Sequence, residues 1–140
     1  MNKDHFQLYE EILRRNNICT LATSSPGGKP EASTMLYAET EGGNLYMYCF
    51  KDTRKFPNLV ENPRASIVIF NHPDYIQMDG TIKMLSKEES ISARKGLIAK
   101  HGNEGDYHAD PRSSYFSFIP NWIRIRIDPD FPAKYVVIKK

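Results

Sequence analysis

Apolar residues recur at helical spacing near the start of the chain. Phe6, Tyr9, Ile12 and Leu13 share one face of a helix predicted over residues 3–16, with Asn16-Asn17 as its stop. From Ile18 the texture changes. ICTLATSS is rich in β-branched residues and runs into Ser25-Pro26-Gly27-Gly28, a turn signal. Residues 30–40 (PEASTMLYAET) form a second predicted strand, and Glu41-Gly42-Gly43-Asn44 the next turn. LYMYCF at 45–50 is a third strand, apolar and aromatic. Strands joined by such short turns make an antiparallel meander rather than a parallel unit with a helical crossover.

Residues 52–62 (DTRKFPNLVEN) read as a short helix. Pro57 is tolerable only in a first turn, so the helix proper starts near Lys55, and Asn62-Pro63 ends it. ASIVIF (65–70) is a strand apolar on both faces, and YIQMDGTIKML (75–85) another, in which Gly80 marks a bulge or a close approach. Ser86 and Glu89 make a capping box that opens a helix to about His101, with Gly102 as the C-cap candidate. Residues 102–113 form a polar loop, a candidate lid with Tyr107 and His108 as candidate substrate contacts. In the strand over 114–128, Ile123, Ile125 and Ile127 face one way and Trp122, Arg124 and Arg126 the other; Pro120 demands an edge or a bulge. A last strand covers 135–138. The sum is a mainly β fold, six or seven antiparallel strands in a small barrel with flanking helices.

Composition narrows the function classes. The 140 residues are one domain's worth of chain, and 40% apolar with 26% charged residues excludes wholesale disorder. No apolar stretch approaches the ~20 residues of a membrane span. The charged N-terminus has no signal-peptide core, so a cytoplasmic protein is expected. A net charge of +2 is too balanced to imply nucleic-acid binding. Cys19 and Cys49 lie in separate apolar runs without CxxC spacing, which reads as two buried free thiols. His5, His72, His101 and His108 have no metal-ligand spacing, so no metal site is expected.

Dinucleotide, phosphate-loop, serine-hydrolase and zinc-protease motifs are absent from the sequence. The informative segment is 45–62, where an apolar strand runs into Lys51-Asp52-Thr53-Arg54-Lys55 and then a helix start. Thr53, Arg54 and Lys55 beside free backbone N–H groups suit a phosphate. A solvated basic turn with Thr53 as N-cap accounts for the same residues equally well on pattern alone.

Two blocks resemble the pyridoxamine 5′-phosphate oxidase-like flavoproteins, the FMN-binding split-barrel family, and the likeness covers roughly residues 5–128. ICTLATSSPGGKPEASTMLYAE is similar to that family's first hairpin. LYMYCFKDTRKFPNLVENPRASIVIF is similar to its third strand, phosphate turn, short helix and Asn-Pro-led fourth strand. The resemblance implies a split barrel that holds FMN at a homodimer interface. It places Arg54 and Lys55, with Thr53, on the FMN phosphate, and Tyr48 and Cys49 along the cofactor. It runs Ser33, Thr34, Met35 and Leu36 beside the flavin ring, with Ser33 where the family often has arginine. Gln77, or Tyr75 if Gly80 sets the alignment, would reach the flavin; Trp122 with Arg124 would contact the flavin of a partner subunit, or Trp122 packs at the dimer interface or the barrel rim. The downstream Arg and His motif of the vitamin B6 oxidases has no good match in FIPNWIRIRID. The implied function is an oxidoreductase passing electrons from a reduced nicotinamide nucleotide through FMN to a small acceptor. The alternative is a non-catalytic carrier or sensor of FMN, F420 or heme. His72 or His108 would be the axial ligand in the heme case.

Overall fold

The computed structural model describes residues 3–128 and 132–140. Three α-helices and eight strands follow in the order α1 (Lys3–Arg15), β1 (Ile18–Ser24), β2 (Pro30–Leu36), β3 (Ala38–Glu39), β4 (Leu45–Phe50), α2 (Lys55–Glu61), β5 (Arg64–Asn71), β6 (Asp74–Met84), α3 (Glu89–His101), β7 (Ser113–Asp128) and β8 (Lys134–Lys139). One curled antiparallel sheet runs β2-β1-β5-β6-β7-β4-β3, and β8 adds to the far half of β7. This is the mainly β split barrel with flanking helices that the strand pattern implies.

The segment read as one strand over 30–40 is two. β2 pairs with β1 as far as Leu36 opposite Ile18. At Tyr37 the chain changes neighbours, and Ala38 and Glu39 pair with Tyr46 and Leu45 of β4. Tyr37 is fully buried and its hydroxyl donates to the Leu13 carbonyl at 2.7 Å. The two edges of the sheet are therefore joined at the Tyr37 end and separate beyond it. That seam, between β2 and the rest of β4, is the split of the barrel.

β7 bends to serve two neighbours. Residues 113–118 pair with β4, while residues from Trp122 onward pair with β8. The bend coincides with a register shift against β6 at Asp79/Gly80, where Pro120 stands opposite Gly80. A Cβ on Gly80 would lie 2.3 Å from the Ile119 carbonyl oxygen, so this position needs glycine for close backbone approach.

Inward-facing residues fill the barrel. Leu21, Met47, Ile67, Ile76, Met78, Phe116, Ile123 and Ile125 are fully buried. Both cysteines are free and buried in this core. The apolar face of α1 (Tyr9, Ile12, Leu13) joins the same cluster, and the Tyr9 hydroxyl donates to the Gly43 carbonyl at 2.6 Å. On the other side α3 sets Ala93 and Leu97 against Ala38 and Tyr115. The Ser86–Glu89 capping box forms: the Glu89 N–H donates to the Ser86 hydroxyl at 3.1 Å and the Ser86 N–H to Glu89 at 3.0 Å. Gly102 at φ +83° ends α3. Residues 102–113 are not an unstructured loop, because Glu104–Ala109 is a 3-10 helix. Among the described residues, no helix is long and apolar enough to cross a membrane.

Candidate functional site

The seam between β2 and β4 holds a cleft of about 320 Å³. One side is the free edge of β2 at Thr34, Met35 and Leu36. The other is the end of β4 at Tyr48, Cys49 and Phe50. Strand alternation explains the mix: Met35 and Cys49 point into the core, while Thr34 and Leu36 point outward and Tyr48 is half-buried. β2 has a strand neighbour on one side only, so its other row of backbone donors and acceptors faces the cleft.

Thr53 and Lys55 close one end. The structure changes the expected role of this turn. Helix α2 is seven residues long with Arg54 at its N-cap and no side-chain cap. The Thr53 hydroxyl instead donates back to the Phe50 carbonyl at 2.8 Å, which fastens the turn to the end of β4. Thr53 is therefore not the N-cap of α2, and its side chain braces the turn instead. Burial pushes the Cys49 thiol pKa up, and the Thr53 hydroxyl and Lys55 ammonium offset part of that effect.

Of the sequence-predicted residues, the cleft brings together Thr34, Met35, Leu36, Tyr48, Cys49, Thr53 and Lys55. It does not gather the other four within one chain. Ser33 faces inward opposite Leu21, and its hydroxyl is buried without a hydrogen-bond partner. Arg54 projects into a neighbouring groove with Lys29, Glu31 and Asn58. Gln77 and Trp122 lie on the outer face of the barrel. There Gln77 accepts a hydrogen bond from Arg124 at 2.9 Å, and the Arg124 guanidinium lies over the Trp122 and Tyr135 rings. Tyr75, the other candidate for the fifth strand, pairs with Phe70, edge to face at 5.7 Å.

Sequence reasoning left out Phe50 and assigned Tyr107 only to a lid. Tyr107 sits beside Phe50 with ring centroids 6.5 Å apart, and both line the cleft. Their approach depends on the 3-10 segment folding back on β4, which no local pattern announces. Beyond Tyr107 a second slot of about 240 Å³ opens between the 3-10 segment, α3 and Tyr48. There the His108 Nδ1 and the Tyr115 hydroxyl are 2.6 Å apart and their rings stack at 14°. Tyr48 leans on His108 with centroids 4.7 Å apart. Burial raises the pKa of both Tyr48 and Tyr115, so each phenol stays protonated at neutral pH. Among the described residues, no cluster of three or more His, Cys, Asp or Glu side chains could hold a metal ion.

An antiparallel barrel split along one seam, with an aromatic cleft and a basic turn at that seam, defines the class of small split barrels. The sequence profile of pyridoxamine 5′-phosphate oxidase matches residues 7–126, and the chain belongs to that family. It is 32% identical over 94 residues to a pyridoxine/pyridoxamine 5′-phosphate oxidase of Coxiella burnetii (strain RSA 493 / Nine Mile phase I), covering 62% of this chain and 48% of that protein. The chain spans about half the length of the curated relatives it matches. Among solved structures, a Clostridium acetobutylicum protein related to general stress protein 26 of B. subtilis superposes with a TM-score of 0.75. It is 18% identical, with 99% of this chain and 96% of that one covered. A heme binding protein from Mycobacterium smegmatis has a TM-score of 0.74 at 21% identity, covering 89% of this chain and 53% of that one. At these identities the structural matches establish the shared fold.

Proposed function

We propose that this chain is an FMN-binding flavoprotein that holds its cofactor in the seam between β2 and β4. The observation that carries this reading is the composition of the cleft. A free strand edge, Thr34–Leu36, offers backbone hydrogen bonds to the polar rim of a flat heterocycle. Tyr48, Phe50 and Tyr107 offer aromatic rings, and Lys55 offers a cation for a phosphate beside Thr53, whose hydroxyl would have to leave the Phe50 carbonyl to join it. These residues fit FMN in chemistry and in order. Arg54, one residue away, adds positive charge at the same end. No histidine lines the cleft, and its one thiol is held protonated by burial.

The working unit in this reading is a homodimer. Ile18, Leu36, Phe70, Tyr135 and Val137 are apolar side chains 44–66% exposed on the outer barrel face. Leu36 belongs to both that face and the cleft, so a second copy seated there also covers the cleft's open side. It would bring its own Gln77, Trp122 and Arg124 into the interface. This reading gives those residues their predicted place near the cofactor.

Bound flavin supplies the electron-transfer chemistry. The chain's part is to orient the ring along β2, hold the phosphate at Lys55, and keep water from the face covered by Tyr48 and Tyr107. No side chain in the cleft is required as a nucleophile. A reduced nicotinamide nucleotide is the proposed donor and a small molecule the acceptor. FMN fluorescence titrated with protein tests the binding. Saturable quenching at one FMN per chain is expected, and unchanged fluorescence would overturn the assignment. Anaerobic addition of NADPH to the loaded protein then separates an enzyme, whose flavin bleaches, from a carrier, whose flavin does not.

A further inference from the structure

We propose that the slot beyond Tyr107 is a second binding site, for a small uncharged aromatic ring of the quinone type, separate from the cofactor cleft and open to it. Its role as the site of the redox partner rests on the flavin reading; the binding itself does not.

Size comes first. A cavity of about 150 Å³ accepts benzene, so about 240 Å³ takes one substituted ring. The walls then select the chemistry. Leu36 and Leu97 are aliphatic, and Tyr48, Tyr107 and His108 present ring faces. Among the described residues that line the slot there is no Asp, Glu, Lys or Arg, whereas the cleft has Lys55. From these residues a charged ligand would gain no counter-charge for its lost hydration, and a neutral flat ring needs none.

The polar groups are few and fixed in place. His101 Nε2 lies 2.6 Å from the Tyr37 carbonyl oxygen, so that nitrogen carries the proton and, in the neutral ring, Nδ1 is an acceptor. His108 is held by Tyr115, whose ring it parallels, and Tyr48 leans on it at 45°. The His101 acceptor suits a ring hydroxyl, the reduced form of such a ring, and the His108 ring supplies a flat wall beside it. Leu36, Tyr48 and Tyr107 line both spaces, so occupants of the slot and the cleft are neighbours.

Duroquinone is a suitable probe, because its fully methylated ring resists addition of thiols. Imidazole C–H NMR signals are followed as it is added to the full chain, with and without FMN, and FMN retention is checked separately by absorbance. Saturable shifts of His101 and His108, with His5 and His72 unmoved, are expected whether or not FMN is present. His108→Ala is expected to weaken binding about tenfold through loss of a ring contact. Tyr107→Ala, at a side chain 55% exposed, serves if that variant does not fold. Succinate, a dianion of similar length, should give no saturable shift. Absence of shifts in protein that retains FMN overturns the slot and leaves the flavin reading standing. Shifts that saturating FMN abolishes also overturn it, since the ring then occupies the cleft. Shifts in protein that does not retain FMN uphold the slot and remove the flavin reading.

Discussion

Arg112 Nη1 stands 3.0 Å from Asp52 Oδ2, so the end of the 3-10 segment is tied to the turn that precedes α2. The same guanidinium holds Asp110 at 2.9 Å and lies over the Phe50 ring at 4.5 Å. The element that carries Tyr107 and the turn that carries Lys55 are thereby linked across the mouth of the cleft. All three charged groups are solvent-accessible, so the link orders the mouth rather than holding up the fold. Arg112→Ala should leave the melting temperature within about 2 °C of the parent. It should also make the 104–112 segment a faster site of proteolytic cleavage. A large fall in melting temperature with no change in cleavage would contradict this.

The pH dependence of that link follows from Asp110. The Arg112 side chain and backbone N–H hold the Asp110 pKa at about 2, well below the ordinary carboxylate value of about 4. A carboxylate depressed on folding contributes above its unfolded pKa and is lost as pH falls through the folded value. The link should therefore persist at pH 5 and open between about pH 4 and 2. An NMR titration of the Asp110 carboxyl that gave an ordinary midpoint would show that Arg112 does not hold it.

At the bulge, Gly80→Ala sets a methyl group against the Ile119 carbonyl oxygen at 2.3 Å and the Phe118 ring at 2.8 Å. Neither backbone can yield without disturbing the bend in β7. A loss of about 3 kcal/mol is expected in urea unfolding, at the upper end for overpacking. A loss below about 1 kcal/mol would mean that the bend is not fixed by this approach.

Both thiols should be inert in the native protein. Burial pushes the Cys19 thiol up to about 12 and raises Cys49 as well, so neither is a thiolate at pH 8. A thiol reagent at that pH should label neither quickly, and both after denaturation. Rapid labelling of Cys49 alone would show that the cleft floor opens, and FMN should then protect it.

The turn before α2 gives a binding prediction. Replacing Arg54 and Lys55 together by alanine should weaken FMN by roughly 2–4 kcal/mol, the scale of two charge-assisted contacts. The single variants should share this unequally. Lys55 lines the cleft while Arg54 faces the next groove, so Lys55→Ala should account for the larger part. Equal effects would indicate that Arg54 swings in when the phosphate binds.

Much of the fold is legible in the sequence because it is written locally. Alternation marks β1, β4 and β7, the capping box marks α3, and Gly80 with Pro120 marks the bulge. What the sequence does not carry is which edges meet. The break at Tyr37 occurs because one strand changes partners, and the pairing of β4 with β7 joins residues some seventy positions apart. The cleft follows from those long-range choices, so its β4 and β2 walls are readable as strands but its third wall, Tyr107, is not. The Thr53 hydroxyl was equally open to two uses: an N-cap and a bond back to Phe50 need the same residue type, and only the three-dimensional turn decides.

The most direct measurement is the visible spectrum of the protein after it has been mixed with FMN and desalted. The account predicts flavin absorption that elutes with the protein near one FMN per chain, and that falls sharply in the Arg54→Ala, Lys55→Ala double variant. A folded, colourless protein that retains no FMN would contradict it, and Lys55 and Thr53 would then be a solvated turn beside an aromatic groove.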